Sequence, residues 1–219
     1  MEFYLIIPAS GTGSRFGLKT PKQFYKIDGK EILIHTLNRF NPHKRIKSIF
    51  VSTGKEYVNK ISLMTKKHRI NKIQNVVIGG KHRQDSVFNA LKTIKCKPDD
   101  VIIVHDAVRP FVSKELIDRL MAESVKYDCV VPGLPLTNTI KKTNKKGIVI
   151  NTVPRENLWS IQTPQFFKYN KLMKAFEIAK KDNVIGTDEA ALMEYAGFTV
   201  KVVEGESSNV KITTRKDVK

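Results

Sequence analysis

Three short polar stretches interrupt the apolar runs of this 219-residue chain, and their residue types suit the binding of anions. The first is Pro8-Ala9-Ser10-Gly11-Thr12-Gly13-Ser14-Arg15-Phe16-Gly17. The second is Gly79-Gly80 with Arg83 close behind, and the third is His105-Asp106-Ala107-Val108-Arg109. A glycine-rich turn can aim successive backbone N–H groups at a phosphate, and Arg15 would add charge. Two well-known versions of such a loop fail on spacing. The dinucleotide fingerprint needs its third glycine one residue before Gly17, and a P-loop needs Gly and Lys adjacent, whereas Leu18 separates Gly17 from Lys19. By itself the turn fits a plain tight connection equally well.

The elements that would position these residues alternate along the chain. Residues 3–9 form an apolar run ending at the glycine-rich turn, which predicts a buried strand. Ile32, Leu33, Leu37 and Phe40 share one helical face. Strands are then expected over 46–52, 73–78, 101–104 and 129–134. Helices are expected over 56–68, around Val87, Ala90, Leu91 and Ile94, and over 114–126 with Ser113 as N-cap. Such βαβα alternation implies an α/β, Rossmann-like fold, a mostly parallel twisted sheet with helices on both faces. Ligands in such sheets sit beyond the carboxyl ends of the strands, where the three polar stretches fall. Residues 136–154 break the pattern and read as a projecting β-hairpin arm, a candidate for dimerisation because its edge is open. We expect one domain spanning residues 1–219 with this arm at about 136–154.

Charge is the most unusual bulk property: 39 Lys+Arg against 21 Asp+Glu give +18. A nucleic-acid binder would gather that charge into a stripe or tail. Here the 30 lysines and 9 arginines are spread evenly from end to end, so most of the excess reads as solvated lysine surface and a minority as aimed at small anionic ligands. No apolar run approaches the roughly 18–20 residues of a membrane span. The N-terminal run is cut short by Pro8, so nothing points to export and a cytoplasmic protein is expected. Cys96 and Cys129 are too few for a disulfide framework or a thiolate zinc site.

Pro21-Lys22-Gln23 follows the glycine-rich turn, and the combination G-x-G-x-R-x-G then P-K-Q is specific. Further along come Asp85-Ser86-Val87 with Asn89-Ala90-Leu91, then His105-Asp106-Ala107-Val108-Arg109-Pro110. Val153-Pro154-Arg155, Leu158-Trp159 and Gln162-Thr163-Pro164-Gln165-Phe166 follow. Thr187-Asp188-Glu189-Ala190 and Asn209-Val210-Lys211-Ile212-Thr213 close the series. In this order the chain resembles, over essentially its whole length, the 2-C-methyl-D-erythritol 4-phosphate (MEP) cytidylyltransferases of non-mevalonate isoprenoid synthesis. The resemblance implies CTP and MEP as substrates, Mg²⁺ as cofactor and a homodimer joined by the arms; the even charge spread and the short apolar runs lead us to expect no nucleic acid and no membrane as partner.

The implied chemistry is in-line attack of a phosphate monoester oxygen on the α-phosphorus of CTP, with pyrophosphate leaving. A monoester with a second pKa of about 6 is already mostly dianionic, so no strong base is needed. The demand is for cations and N–H groups that bring two anions together. By the resemblance, Arg15, Lys22 and Lys211 stabilise the phosphates, with Lys211 on a strand formed by residues 209–213. Pro8, Ala9, Ser10, Gly11, Thr12, Gly13, Ser14, Gly79, Gly80, Asp85, Ser86, Asp106 and Ala107 are expected around the nucleotide. Reading cytosine through its 4-amino donor and N3 acceptor requires small side chains at residues 8–10, 79, 80 and 86, and these are small. Asp106, Arg109, Thr139, Arg155, Thr163 and Thr187 are expected around the polyol phosphate, Thr139 and Arg155 coming from the partner's arm. Thr187 equally fits a helix N-cap. Asp106 is also the expected neighbour of Mg²⁺, which phosphate oxygens would chiefly hold. Arg83 reads as a structural ion pair, His105 as a hydrogen-bonded structural group, Gln23 as structural and Trp159 as a packing anchor.

Two departures stand out: Asn138 replaces the aspartate usual before the arm threonine, and the sequence reaches Lys219 before the closing helix usual after residues 209–213, so that either the helix has been trimmed away or the protein is expected to lack it. No downstream cyclase module is expected either. The nearest alternative is a ribitol-5-phosphate cytidylyltransferase, against which residues 85–91 and 187–191 favour the methylerythritol branch. An NAD-binding oxidoreductase would need an acidic residue just after the second strand, where Asp28 is too early and Glu56 too late. A basic nucleic-acid-binding protein would show affinity falling steeply with salt. Lys22→Ala and Arg15→Ala should each cost about 2–3 kcal/mol in kcat/KM, as loss of preorganised charge does. Arg155→Ala should weaken polyol phosphate binding and spare CTP affinity. Steady-state kinetics on the three variants checks this, and near-normal turnover of the first two would refute the assignment.

Overall fold

A computed structural model describes residues 1–11 and 20–218. The strands and helices run β1 (Phe3–Pro8), β2 (Lys26–Ile27), β3 (Lys30–Glu31), α1 (Ile32–Phe40), β4 (Ile46–Thr53), α2 (Val58–Lys67), β5 (Ile73–Ile78), α3 (Arg83–Leu91), β6 (Val101–Val104), α4 (Lys114–Glu123) and β7 (Cys129–Pro135). They continue with β8 (Ile140–Thr143), β9 (Val149–Val153), β10 (Trp159–Ile161), β11 (Gln165–Lys168), α5 (Tyr169–Lys181), α6 (Glu189–Tyr195) and β12 (Val200–Glu204).

Side-chain alternation in β1 builds the two layers. Phe3, Leu5 and Ile7 face one core, with Val101 and Ile103 of β6, under α1, α2 and α4. Tyr4 and Ile6 face the other, with Ile102 and Val104, under α3, α5 and α6. A strand buried on both faces must be apolar throughout, which is why these runs are continuous. The main sheet runs β10-β7-β11-β6-β1-β4-β5, with β12 also on β7. β1 pairs parallel with β4 and with β6, and β4 with β5. β11 is antiparallel to both β6 and β7.

The α/β class and its helices on both faces are as expected, and so is Ser113 as N-cap, accepting from Leu116 N. Elsewhere the detail differs. The 56–68 helix opens with a 3-10 turn over Lys55–Tyr57 before α2, and α4 stops at Glu123. Thr187 is not a helix cap: Asp188 caps α6, accepting from Ala191 N. Residues 209–213 alternate like a strand but join no ladder among the described residues; Ile212 N donates to Val108 O at 2.9 Å, just beyond β6. Trp159 is no packing anchor, since it lies on β10, 38% exposed beside Ile161. Residues 136–154 do form a hairpin, β8 against β9.

Antiparallel β11 is wedged between β6 and β7, and its Phe166 is fully buried against Phe3. Phe166→Ala should therefore destabilise the chain by about 3–5 kcal/mol in urea unfolding. A loss under about 1 kcal/mol, the scale of a surface change, would contradict that packing.

Candidate active site

In chain order β1 hands on to β4 and β5 on one side, while β6 lies on the other. The chain therefore leaves the carboxyl ends of the paired strands β1 and β6 toward opposite sides, which makes this a switch point of the sheet, where such folds leave a crevice. The crevice is a cavity of about 340 Å³, within the size range of small-molecule sites. Its walls are residues 8–11 after β1, Gly80–Arg83 and Ser86 at the start of α3, Asp106–Val108 after β6, Lys22-Gln23, and Lys211 with Thr213.

Asp106 is the hub. Its Oδ2 lies 2.8 Å from Lys211 Nζ and 3.5 Å from Arg109 Nε, and its Oδ1 lies 3.4 Å from Arg83 Nε. Burial by itself would raise this carboxyl, but Arg83 and Lys211, then Arg109, outweigh it and hold the acid well below the ordinary carboxylate range. Arg83 is anchored from behind: its Nη1 reaches both oxygens of Glu189, at 2.8 and 2.6 Å. Burial disfavours the Arg83 charge, yet Glu189 and Asp106 more than restore it. Arg109 is buried too and donates from Nη1 to Asn209 O at 2.7 Å.

A second layer fixes the backbone of this hub. Asp106 N donates to Thr163 Oγ1, which contacts His105 Nδ1 at 3.1 Å, while His105 Nε2 lies 3.0 Å from Arg109 O. A carbonyl only accepts, so Nε2 carries the hydrogen and Nδ1 takes the threonine's. Burial pushes this imidazole down to about 4. It is neutral and enclosed, as a structural group should be. On the opposite wall Gln23 Nε2 donates to Ala9 O at 2.6 Å and Gly11 O at 3.2 Å, and Lys22 Nζ donates to Ile212 O at 3.0 Å. Ser86 bonds Ser10 across the cavity and accepts from Gly80 N. Gly79 lies beneath them; a Cβ there would stand 2.7 Å from Ser86 Oγ, so only glycine leaves that corner open.

The structure thus brings Pro8, Ala9, Ser10, Gly11, Lys22, Gly80, Ser86, Asp106, Ala107 and Lys211 onto one cavity. Thr12, Gly13, Ser14 and Arg15 lie outside the described residues. Arg109 and Thr163 sit behind the wall, on Asp106. Asp85 is turned to the start of α3, accepting from His82 N at 2.9 Å, and is not on the wall. Thr139 and Arg155 are exposed on the hairpin and after it, with Arg155 on Thr137 O, and Thr187 is exposed ahead of α6. None of these three lines the cavity within this chain. Sequence reasoning passed over Lys81 and His82, which do line it, and over Glu189, whose position in an otherwise apolar helix face was the available signal.

Among the described residues no three His, Cys, Asp or Glu side chains group to hold a metal ion. Among the described residues one carboxylate, Asp106, faces the cavity, and its Oδ1 has there just the long Arg83 contact. That donor set fits a Mg²⁺ held mainly by phosphate oxygens and water, and does not fit a protein-caged ion.

Fold and cavity define an α/β protein with a crevice at the sheet's switch point lined by fixed cations. The family model described as 2-C-methyl-D-erythritol 4-phosphate cytidylyltransferase matches residues 3–219. A Clostridium botulinum (strain Loch Maree / Type A3) protein of that name is 40% identical over 98% of this chain and 93% of its own length. One from Halalkalibacterium halodurans is 35% identical over 100% and 94%. The crystal structure of the Francisella tularensis enzyme of the same name superposes with TM-score 0.87 at 36% identity, covering 100% of this chain and 97% of that one. The chain belongs to the 2-C-methyl-D-erythritol 4-phosphate cytidylyltransferase family.

The His105 arrangement has a measurable cost. Its folded pKa of about 4 lies below the ordinary 6.5 of the unfolded chain, so its contribution is complete above pH 6.5 and is lost as pH falls toward 4. Between pH 7 and 5 the loss attributable to it is about 2 kcal/mol. Urea unfolding of wild type and His105→Asn at both pH values should show that much less pH dependence in the variant; equal dependence would contradict the buried neutral ring.

Proposed function

We propose that this chain is the nucleotidyltransferase that joins CTP and 2-C-methyl-D-erythritol 4-phosphate into 4-diphosphocytidyl-2-C-methyl-D-erythritol, releasing pyrophosphate. The observation that carries the reading is the Asp106 hub, three cations preset around one carboxylate beside a cavity lined also by the small residues 8–11, Gly80 and Ser86 and by Lys22 and Lys81. Family membership supplies the substrate pair.

The residues divide the work. Small groups at residues 8–11, Gly80 and Ser86 let the pyrimidine approach backbone N–H and C=O groups. Lys22 and Lys211, with Arg15 from the glycine-rich turn, hold the triphosphate and stabilise charge on the α-phosphoryl group as the monoester oxygen attacks in line. The attacking phosphate needs no base, which agrees with the absence, among the described residues, of a serine or cysteine paired with a histidine. Asp106 orients Lys211 and is the carboxylate available to a phosphate-bound Mg²⁺. When bound, that ion neutralises phosphate charge and eases departure of pyrophosphate.

The polyol phosphate is assigned to Thr139 and Arg155 of a second copy, with Arg109 and Thr163 supporting its site from behind the wall through Asp106. Support for the second copy comes from Thr139 and Arg155 being exposed and off the cavity wall. It comes also from apolar exposure beside them, at Ile148, Val149 and Ile150 near and in β9 and at Trp159 and Ile161 in β10. No described helix is long and apolar enough to cross a membrane.

Pyrophosphate release measured with each nucleoside triphosphate against MEP and ribitol 5-phosphate tests the assignment. CTP with MEP should be preferred over every other pairing by at least about 100-fold, a margin well inside what a site that hydrogen-bonds its substrate's polar groups gives. Preference for ribitol 5-phosphate would overturn the choice of substrate.

A further inference from the structure

We propose that Gln162 and Asn209 form a clasp that places Lys211 on the cavity wall, making both positioning residues for the phosphate-binding step. The proposal rests on the reading of Lys211 as a phosphate-holding cation. Lys211 is 40% exposed and its one described side-chain partner is Asp106, 2.8 Å away. A flexible lysine held by a single contact loses most of its preorganisation unless the backbone beneath it is fixed. Here that backbone belongs to residues 205–213, which join no strand ladder.

The fixing is done by side chains. Gln162, 7% exposed, spends both ends of its amide on this segment alone. Its Nε2 donates to Glu206 O at 2.9 Å and to Asn209 O at 3.4 Å. Its Oε1 accepts from Glu206 N and from Asn209 Nδ2, each at 3.3 Å. Asn209, fully buried, donates again from Nδ2 to Thr163 O at 2.8 Å, and its carbonyl accepts from Arg109. Gly205 permits the approach: a Cβ there would meet Gln162 Oε1 at 2.5 Å. Thr163, next in the chain, holds Asp106 N. One short stretch, residues 162–163, therefore sets both partners of the Asp106–Lys211 contact. A glutamine serving only core stability would have no reason to direct all of its amide hydrogen bonds at the segment that carries one active-site lysine.

The test is a double-mutant cycle on CTP affinity by calorimetry and on kcat/KM for pyrophosphate release. It compares wild type, Lys211→Ala, Gln162→Met and the double variant, with thermal melts run alongside. Gln162→Met should weaken CTP binding by about 10-fold, within what a displacement near 1 Å can cost. In the Lys211→Ala background the same change should add less than about 2-fold, because its route to the phosphates is gone. An equal loss in both backgrounds overturns the clasp and makes Gln162 a general structural residue. Lys211→Ala binding CTP like wild type overturns instead the reading of Lys211. Gly205→Ala, which adds one methyl group against the Gln162 amide, gives the same cycle if Gln162→Met does not fold, and the same two outcomes decide it.

Discussion

The arrangement depends on one electrostatic constraint: cations gathered at one point in a fold need a counter-charge among them. Arg83, Arg109 and Lys211 would repel one another across the end of β6 without a counter-charge, and Asp106 supplies it. Taking a carboxylate out of water is costly, and a single partner often fails to repay it. Three partners, Thr163 on its backbone, and Glu189 neutralising the far side of Arg83 make the buried acid stable in its charged form. Arg83 and Lys211 are left on the cavity wall, with Arg109 behind it. Preorganisation of this kind lowers a barrier without rearrangement during the reaction.

The fold exists to put that carboxylate there. Val101–Val104 is buried on both faces and leads without a turn into His105 and Asp106, so the acid's position is inherited from the sheet. Antiparallel β11 next to β6 brings Gln162 and Thr163 to the same end. The late chain then crosses back, with residues 205–213 laid over Gln162, and delivers Lys211 from a point more than a hundred residues away in sequence.

Most of this was legible where apolar periodicity is strong. The core strands and α1, α3 and α4 announce themselves by doubly buried runs or by faces such as Val87, Ala90 and Leu91. The glycine-rich turn, Lys22, Asp106 and Lys211 were legible because their spacing is unusual. What escaped has physical reasons. β10, β11 and β12 are three to five residues long and owe their pairing to tertiary context. Residues 209–213 alternate like a strand, but Lys211 must face the cavity and Asn209 the core, and side chains replace the ladder. Trp159 looked like core because large aromatics usually are, yet it flanks an arm whose apolar residues are also exposed. The +18 was least informative of all: most of it is evenly spread lysine, while the charge that matters is held by a few named pairs.

The central claim, that Asp106 is the electrostatic keystone of the cavity, is tested most directly by urea unfolding of Asp106→Asn at pH 7 without ligand. The substitution keeps size and shape and removes one charge. The account predicts a loss of about 3–5 kcal/mol, the cost of leaving buried charges without their partner. Unfolding at the wild-type urea midpoint would contradict it.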